Sequence, residues 1–297
     1  MRCNRNLKVK SMPVSTLPAA SPILPPMPTR RASPAMTEMQ MKRMRSLRPG
    51  SAPRDRDGDG EAPLSGARRQ ATFRQDWDSY ARLVAGNCFN HAEAYAVLRT
   101  VLLAVDQPFR FLDIACGDAS ASAAALAGTK VSHYHGIDIS EDGLRRAGQI
   151  LAETLPCPVE LDCRDFTEAL RDPALAADIA WIGLSLHHLE QDGKFAALRD
   201  IRRIVGRHGH LLVYENASPV EESRAEWLER WDAERPRFAG FSDAEWQSIS
   251  RHVHARDFPE TDSAWRHLGL AAGFGVARCL YASPNELFRL YAFGPKV

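Results

Sequence analysis

Apolar residues arrive along this chain in short blocks whose period changes. Phe109 to Ile114, Val131 to Asp138, Val159 to Cys163, Asp178 to Gly183 and His210 to Glu215 are compact apolar runs bounded by Gly, Pro, Asp or Ser, the pattern of buried strands. Between them, apolar residues recur every three or four positions. That spacing predicts helices over 120–127, 140–153 and 194–205, with two more ahead of the first strand, near Trp77 to Val84 and over Ala92 to Val105. Strands alternating with helices in this way predict a parallel sheet covered on both faces.

Beyond Glu215 the alternation pauses. Two helices are predicted over 220–235 and 242–255, the second opened by the capping box Ser242-x-x-Glu245. Trp227, Leu228, Trp231 and Trp246 give these helices an apolar face. A short helix over 263–272, punctuated by Gly273 and Gly275, then precedes two closing strands at 276–281 and 287–293.

The candidate chemistry lies where strands end. Phe111-Leu112-Asp113-Ile114-Ala115-Cys116-Gly117-Asp118-Ala119 reads as a strand that breaks at a small-residue turn and enters a helix. Gly136-Ile137-Asp138-Ile139-Ser140 reads as a second strand ending on an acid, so the two outline a nucleotide pocket. A glycine at 117 lets the backbone approach a ligand, and the helix start behind it faces an anionic group. In these residues the chain resembles the class I S-adenosylmethionine-dependent methyltransferases, whose first motif has an acid at Asp113 and glycine at Gly117. The family usually carries glycine where Ala115 and Ala119 stand, so the loop departs from the pattern twice.

The resemblance covers about residues 75 to 297. It implies a Rossmann-like, doubly wound α/β fold with a mostly parallel seven-stranded sheet, helices on both faces and a helical insertion before the last two strands. It implies S-adenosyl-L-methionine as cofactor, bound by Asp113, Ala115, Cys116, Gly117, Asp138, Ile139, Asp165, Phe166 and Leu184. Asp138 would take both ribose hydroxyls, its two acceptor oxygens matching two donors, though an acid here also suits a helix start. Asp165 stands where the family accepts a hydrogen bond from the adenine amino group, and Phe166 is either a stacking partner or core.

Strand four ends in Leu184-Ser185-Leu186-His187-His188-Leu189, similar to the His-His-Leu segment of many small-molecule members. His187, His188 and Glu215 are the catalytic candidates. The alternative is that the histidines are structural and Glu215 caps the next helix. No metal is expected, on the ground that adjacent side chains point apart and no carboxylate partner is evident. The expected reaction is methyl transfer to a small-molecule acceptor by in-line displacement.

Composition modifies this picture at the N-terminus. Of the 297 residues, the first 70 hold 14 Lys and Arg against 5 Asp and Glu, a net of +9, which leaves −8 for residues 71–297 of a chain whose total is +1. Ten of the 19 prolines and all seven methionines also fall there, so residues 1–70 are expected to be a disordered basic extension. A transit peptide, a nucleic-acid arm and a poorly specified extension, with Met36, Met39, Met41 and Met44 as later starts, compete for it, and the last is preferred. Residues 71–297 would form the methyltransferase domain, with 215–272 as a helical lid over the substrate.

The six cysteines form no CxxC pair, which indicates neither a zinc site nor a disulfide framework and fits a cytoplasmic enzyme. Arg99, Asp106 and Arg110 break the densest apolar region, so no membrane span is expected. Three rivals stay open. A nicotinamide-dependent Rossmann oxidoreductase would need G-x-G-x-x-G and is disfavoured by Ala115 and Ala119. A nucleic-acid or protein methyltransferase using the basic tail is disfavoured by the acidic fold and by the absence of an Asn-Pro-Pro-Tyr type segment after strand four. A non-catalytic binding module is the third.

Overall fold

Strand β1 (Phe109–Ile114) is the axis on which the fold turns. In the computed structural model, which describes residues 82–296, β1 pairs in parallel with β2 (Val131–Asp138) on one side and with β4 (Ile179–Gly183) on the other. Outside β2 lies β3 (Val159–Cys163), and outside β4 lies β5 (His210–Ser218), both parallel. The chain therefore winds outward from β1 to β3, crosses back to β4 and winds the other way. The crevice at the carboxyl ends of β1 and β4 is the switch point where such sheets hold ligands. Strand β8 (Phe288–Gly294) runs antiparallel beside β5 and β7 (Val276–Ala282) closes the edge, giving the order β3-β2-β1-β4-β5-β8-β7. The two-residue β6 (Glu260–Thr261) pairs off this path with the end of β5.

The strands form because both their faces are buried. In β1, Phe109 and Phe111 enter one apolar cluster while Leu112 and Ile114 enter the other; in β4, Ile179 and Trp181 oppose Ala180 and Ile182 in the same way. Helices α1 (His91–Leu103), α2 (Ser120–Leu126) and α3 (Glu141–Thr154) follow one another along the first three strands, with the short α4 (Phe166–Ala169) after β3. Helix α5 (Gln191–Val205) connects β4 to β5. Ser140 caps α3 through a 3.1 Å bond from Gly143 N. This is the Rossmann-like, mostly parallel α/β fold with an antiparallel edge that the sequence implies.

After β5 come α6 (Arg224–Ala233), a 3-10 turn at Arg235–Phe238, α7 (Asp243–Arg256) and α8 (Asp262–Ala271). The Ser242–Glu245 capping box opens α7 as its sequence signals. Three boundaries differ from expectation by three residues or more, the first being helix α6, which begins at Arg224, four residues after Val220. Strand β5 runs three residues past Glu215, because Ala217 and Ser218 find a second partner in β6, which has no signal of its own. Helix α5 begins three residues before Lys194, at Gln191. Residues 1–70 and most of the helix predicted at Trp77 to Val84 lie outside the described residues. Among the described residues no helix is long and apolar enough to cross a membrane.

Candidate functional site

The loop after β1 threads between strand and helix by a repeated left-handed step. Ala115, Gly117 and Ala119 have φ of 56°, 57° and 56°. Glycine accepts this conformation without steric cost and alanine does not, so Ala115 and Ala119 hold a strained backbone that glycine would take freely. Gly143 at the start of α3 lets the loop sit close, since a Cβ there would lie 3.2 Å from the Gly117 carbonyl oxygen.

Asp138, at the end of β2, ties the loop down. Its Oδ2 accepts from Gly117 N at 2.8 Å and its Oδ1 from Ser140 N at 2.8 Å. Each oxygen retains a second lone pair toward the cavity that Asp138 lines. Burial raises the Asp138 carboxyl above its ordinary pKa, opposed by those amide bonds. Ile139 is exposed beside it, at 57 %. Asp165 caps α4, its Oδ1 accepting from Thr167 N at 2.7 Å. Asp138, Ile139, Asp165, Phe166, Leu184, Ala115, Cys116 and Gly117 all line one cavity of about 1150 Å³.

Asp113 departs from its expected place. It is 1 % exposed, does not line the cavity, and accepts from the Tyr134 hydroxyl at 2.6 Å. Burial pushes its carboxyl up to about 7. It supports the loop from beneath and offers no direct contact to a ligand.

The other end of the cavity is lined by His187 and His188 from the 3-10 turn Leu186–His188, by Trp181, Tyr95, Asn216, Trp231 and Phe288, and by α7. From α7 come Glu245, Ser248, Ile249 and His252, one face at helical spacing. The tryptophans expected to form a lid mostly do not. Trp227 is fully buried and Trp231 nearly so, stacked at 6.1 Å, and Trp231 stacks on Trp246 at 5.8 Å. They glue α6 and α7 to the sheet, and α7 shapes the cavity with its smaller residues.

Glu215 is also corrected. It is fully buried and does not line the cavity; Oε1 accepts from Ser185 N and Leu186 N, both at 2.6 Å, and Oε2 from His187 N at 3.3 Å and His187 Nδ1 at 2.8 Å. With its lone pairs committed it cannot serve as a base for an acceptor; it positions the turn. Burial works against its charge, but His187 and the amides outweigh that and lower its pKa. Correspondingly, burial disfavours the His187 cation, but Glu215 and Asp257 overcome it and raise the His187 pKa. His188 is different: half-exposed, its pKa is pulled down to about 3 by burial and by its neighbour His187.

The ground for expecting no metal does not hold. A 3-10 turn brings successive side chains together, and the two rings lie 4.1 Å apart at a 63° angle. A carboxylate is present too: Asp257 Oδ1 stands 3.8 Å from His187 Nε2 and 3.7 Å from His188 Nδ1. Asp257 and His252 escaped the sequence reading. Helical spacing could have flagged His252, whereas Asp257 follows α7 with no motif, and its partner Asn216 lies 41 positions earlier.

Comparison with known proteins agrees with this geometry. The profile of a family described as a methyltransferase domain matches residues 111–209, from within β1 to the residue before β5. No curated protein matches the chain. Among solved structures, an O-methyltransferase family protein from Burkholderia thailandensis is 14 % identical, covering 78 % of this chain and 60 % of its own, with a TM-score of 0.54. A SAM-dependent methyltransferase from Thermotoga maritima is 15 % identical over 76 % of this chain and 98 % of its own, at TM-score 0.50. A Nostoc punctiforme protein provisionally assigned as an O-methyltransferase is 16 % identical over 66 % of this chain, at TM-score 0.48, and this chain spans only 55 % of its length. At these identities the likeness is one of fold. The loop at 115–119, the acid at 138 and the match of residues 111–209 to a methyltransferase domain are together consistent with the class I S-adenosylmethionine-dependent methyltransferase family.

Proposed function

We propose that this protein methylates a small acceptor using S-adenosyl-L-methionine. The observation that carries the reading is a single cavity with two chemically distinct ends. Its volume, about 1150 Å³, exceeds the roughly 300–1,000 Å³ usual for one drug-sized ligand and leaves room for two. At one end the residues fit the cofactor. The left-handed loop presents backbone where a ligand can approach, Asp138 has lone pairs for a diol, and Ile139, Asp165 and Phe166 surround the place for an adenine. When bound, the cofactor supplies a methyl group already activated by its sulfonium.

The protein's own task is then alignment. Holding two reactants in attack geometry can supply roughly 7–11 kcal/mol of a barrier. Trp181, Tyr95 and Phe288 offer apolar walls to an acceptor, and Asn216, His252 and His188 offer polar contacts. Of the three catalytic candidates, only His188 combines exposure to the cavity with a neutral ring. Its depressed pKa keeps the ring neutral near pH 7, so a ring nitrogen can accept a hydrogen bond from an acceptor's hydroxyl while acting only as a weak base. His187 is held by Glu215 and orients the turn.

The test is to incubate the full-length protein with methyl-deuterated S-adenosylmethionine and a metabolite extract and to search by mass spectrometry for labelled small molecules. Binding of S-adenosylhomocysteine is measured in parallel by calorimetry. A labelled small product supports the reading. Absence of homocysteine-analogue binding overturns it, and label found only in protein or nucleic acid transfers it to a macromolecular acceptor.

A further inference from the structure

We infer that His187, His188 and Asp257 form a binding site for one divalent first-row transition metal ion, of which zinc is the reference, at the acceptor end of the cavity. The donor atoms of the three residues lie within 4.8 Å of one another. Asp257 Oδ1 is common to the two short edges, 3.8 Å to His187 Nε2 and 3.7 Å to His188 Nδ1. Zinc bonds of roughly 2.0–2.1 Å in a tetrahedron separate neighbouring ligand atoms by about 3.4 Å, so the two edges to Asp257 close with a contraction of a few tenths of an ångström, and the edge between the two rings, within 4.8 Å, closes by ring rotation of at most about 1.4 Å.

The buried Asp257 gives an independent indication. It is 95 % buried, and its Oδ1 has no hydrogen-bond partner. A buried acceptor without a partner is costly, and this one is aimed at two imidazoles that line the same cavity. Its other oxygen is fixed by Asn216 Nδ2 at 2.8 Å, so the vacant lone pairs cannot easily turn elsewhere.

The surroundings have the form of a second layer around metal ligands. Glu215 accepts from His187 Nδ1 at 2.8 Å, which sets the tautomer with its lone pair on Nε2, the atom facing Asp257. His252 packs edge-on to His188 at 5.5 Å. Phe258 N donates to the His187 carbonyl at 2.8 Å, tying the segment after Asp257 to the turn. Charge points the same way. Lys194 is matched by Glu260 at 2.7 Å, which leaves the Glu215 and Asp257 carboxylates facing the two rings. A dication balances that pair, whereas one imidazolium balances half of it.

Three protein ligands leave a position open toward the cavity, as in catalytic rather than structural metal sites. The rest of the inference depends on the methyl-transfer reading above. An acceptor bearing a hydroxyl or enol oxygen would bind the ion there, and coordination would lower its pKa and release its proton at neutral pH.

The experiment uses tag-free full-length protein stripped with chelator and reloaded with Co²⁺ or Zn²⁺, followed by visible absorption of the Co²⁺ form and Zn²⁺ calorimetry. One ion per chain is expected, with intense ligand-field bands of a four- or five-coordinate Co²⁺ bearing nitrogen ligands. Asp257→Asn and His188→Ala should each abolish the bands, and Glu215→Gln should weaken binding about 10- to 100-fold. S-adenosylhomocysteine binding is measured on every variant, which shows that it is folded and keeps the two ideas separable. Binding of the analogue without metal overturns the metal site alone; metal without the analogue overturns the methyl-transfer reading alone. Should Asp257→Asn not fold, His188→Gln carries the test. Metal bands that survive both His188 variants place the ion elsewhere and refute the site.

Discussion

Asp113 lends itself to a quantitative test, because its environment forces a protonation state that its model-peptide behaviour would not give. The carboxyl sits in β1 at 1 % exposure against the Tyr134 hydroxyl, and burial raises its pKa from 3.8 to about 7. The folded protein therefore holds this proton more tightly than the unfolded chain. The sign follows: Asp113 favours folding most below about pH 4, and that contribution is lost as pH rises through 7. Three pKa units correspond to at most about 4 kcal/mol. Asp113→Asn keeps the shape and an acceptor for Tyr134 but removes the titration. Urea unfolding of both proteins at a series of pH values from 4 to 8.5 isolates the residue, since every other group cancels in the difference. The variant should gain on the wild type by up to about 4 kcal/mol as pH rises, most of it between pH 4 and pH 7.5. A difference that stays constant over this range would show a carboxyl ionised throughout and would refute the reasoning; a gain in the opposite direction would refute it more strongly.

Asp138→Ala should weaken S-adenosylhomocysteine binding by about 1.5–3 kcal/mol, the range for hydrogen bonds to a charged group, as read by calorimetry. Because Asp138 also holds the Gly117 amide, Asp138→Asn serves as the companion, and unchanged affinity in both would remove the residue from the cofactor site. Ala115→Gly relieves a left-handed φ of 56°, worth about 1–2 kcal/mol against about 0.4–1 kcal/mol of added unfolded-state freedom. Thermal melts should show it neutral to mildly stabilising, and a clear loss would mean that the alanine conformation is unstrained. Trp227→Ala empties a fully buried site and removes the indole donor from the Ala217 carbonyl, at a cost of about 3–5 kcal/mol in chemical denaturation. A loss under 1 kcal/mol would show α6 to be loosely attached.

The cofactor end was legible in the sequence because it is nearly local. Residues 115–119 and 138–140 belong to two successive strand ends, and β1, β2 and β3 run over the spans their apolar blocks mark. The acceptor end was not, because its members come from α1, β4, β5, α7 and β8 and meet only in three dimensions. Glu215 shows the limit. Its place after a strand reads as a site acid or a helix cap, and nothing in its neighbours reveals that its carboxylate is turned inward onto the Ser185–His187 amides. The histidine pair misled for a related reason: alternation of side chains is a strand rule, and the 3-10 turn Leu186–His188 that ends β4 replaces it with side-by-side rings. The tryptophans read correctly as an apolar face, but spacing alone does not say whether that face meets a substrate or a core.

This division has a functional consequence. The loop at 115–119 and Asp138 are locked to one another through the Gly117 amide and through the close approach of Gly143, so the cofactor end is a rigid unit of the sheet. Helix α7 is held instead by side chains: Arg235 on Asp243 near its start, Asn216 on Asp257 just past its end, and between them the Trp231–Trp246 stack with Ser250 and His254 on Asp232. Of its cavity-facing residues, Glu245 completes the capping box and pairs with Arg82, Ile249 packs against the core and His252 meets the His188 ring, whereas Ser248 is exposed and has no such role among the described residues. Ser248 can therefore change in size and polarity while the helix stays in place and the cofactor end is undisturbed. On the methyl-transfer reading, this position can tune the acceptor independently of the methyl donor's site, and exchange of Ser248 should alter acceptor preference at constant S-adenosylhomocysteine affinity.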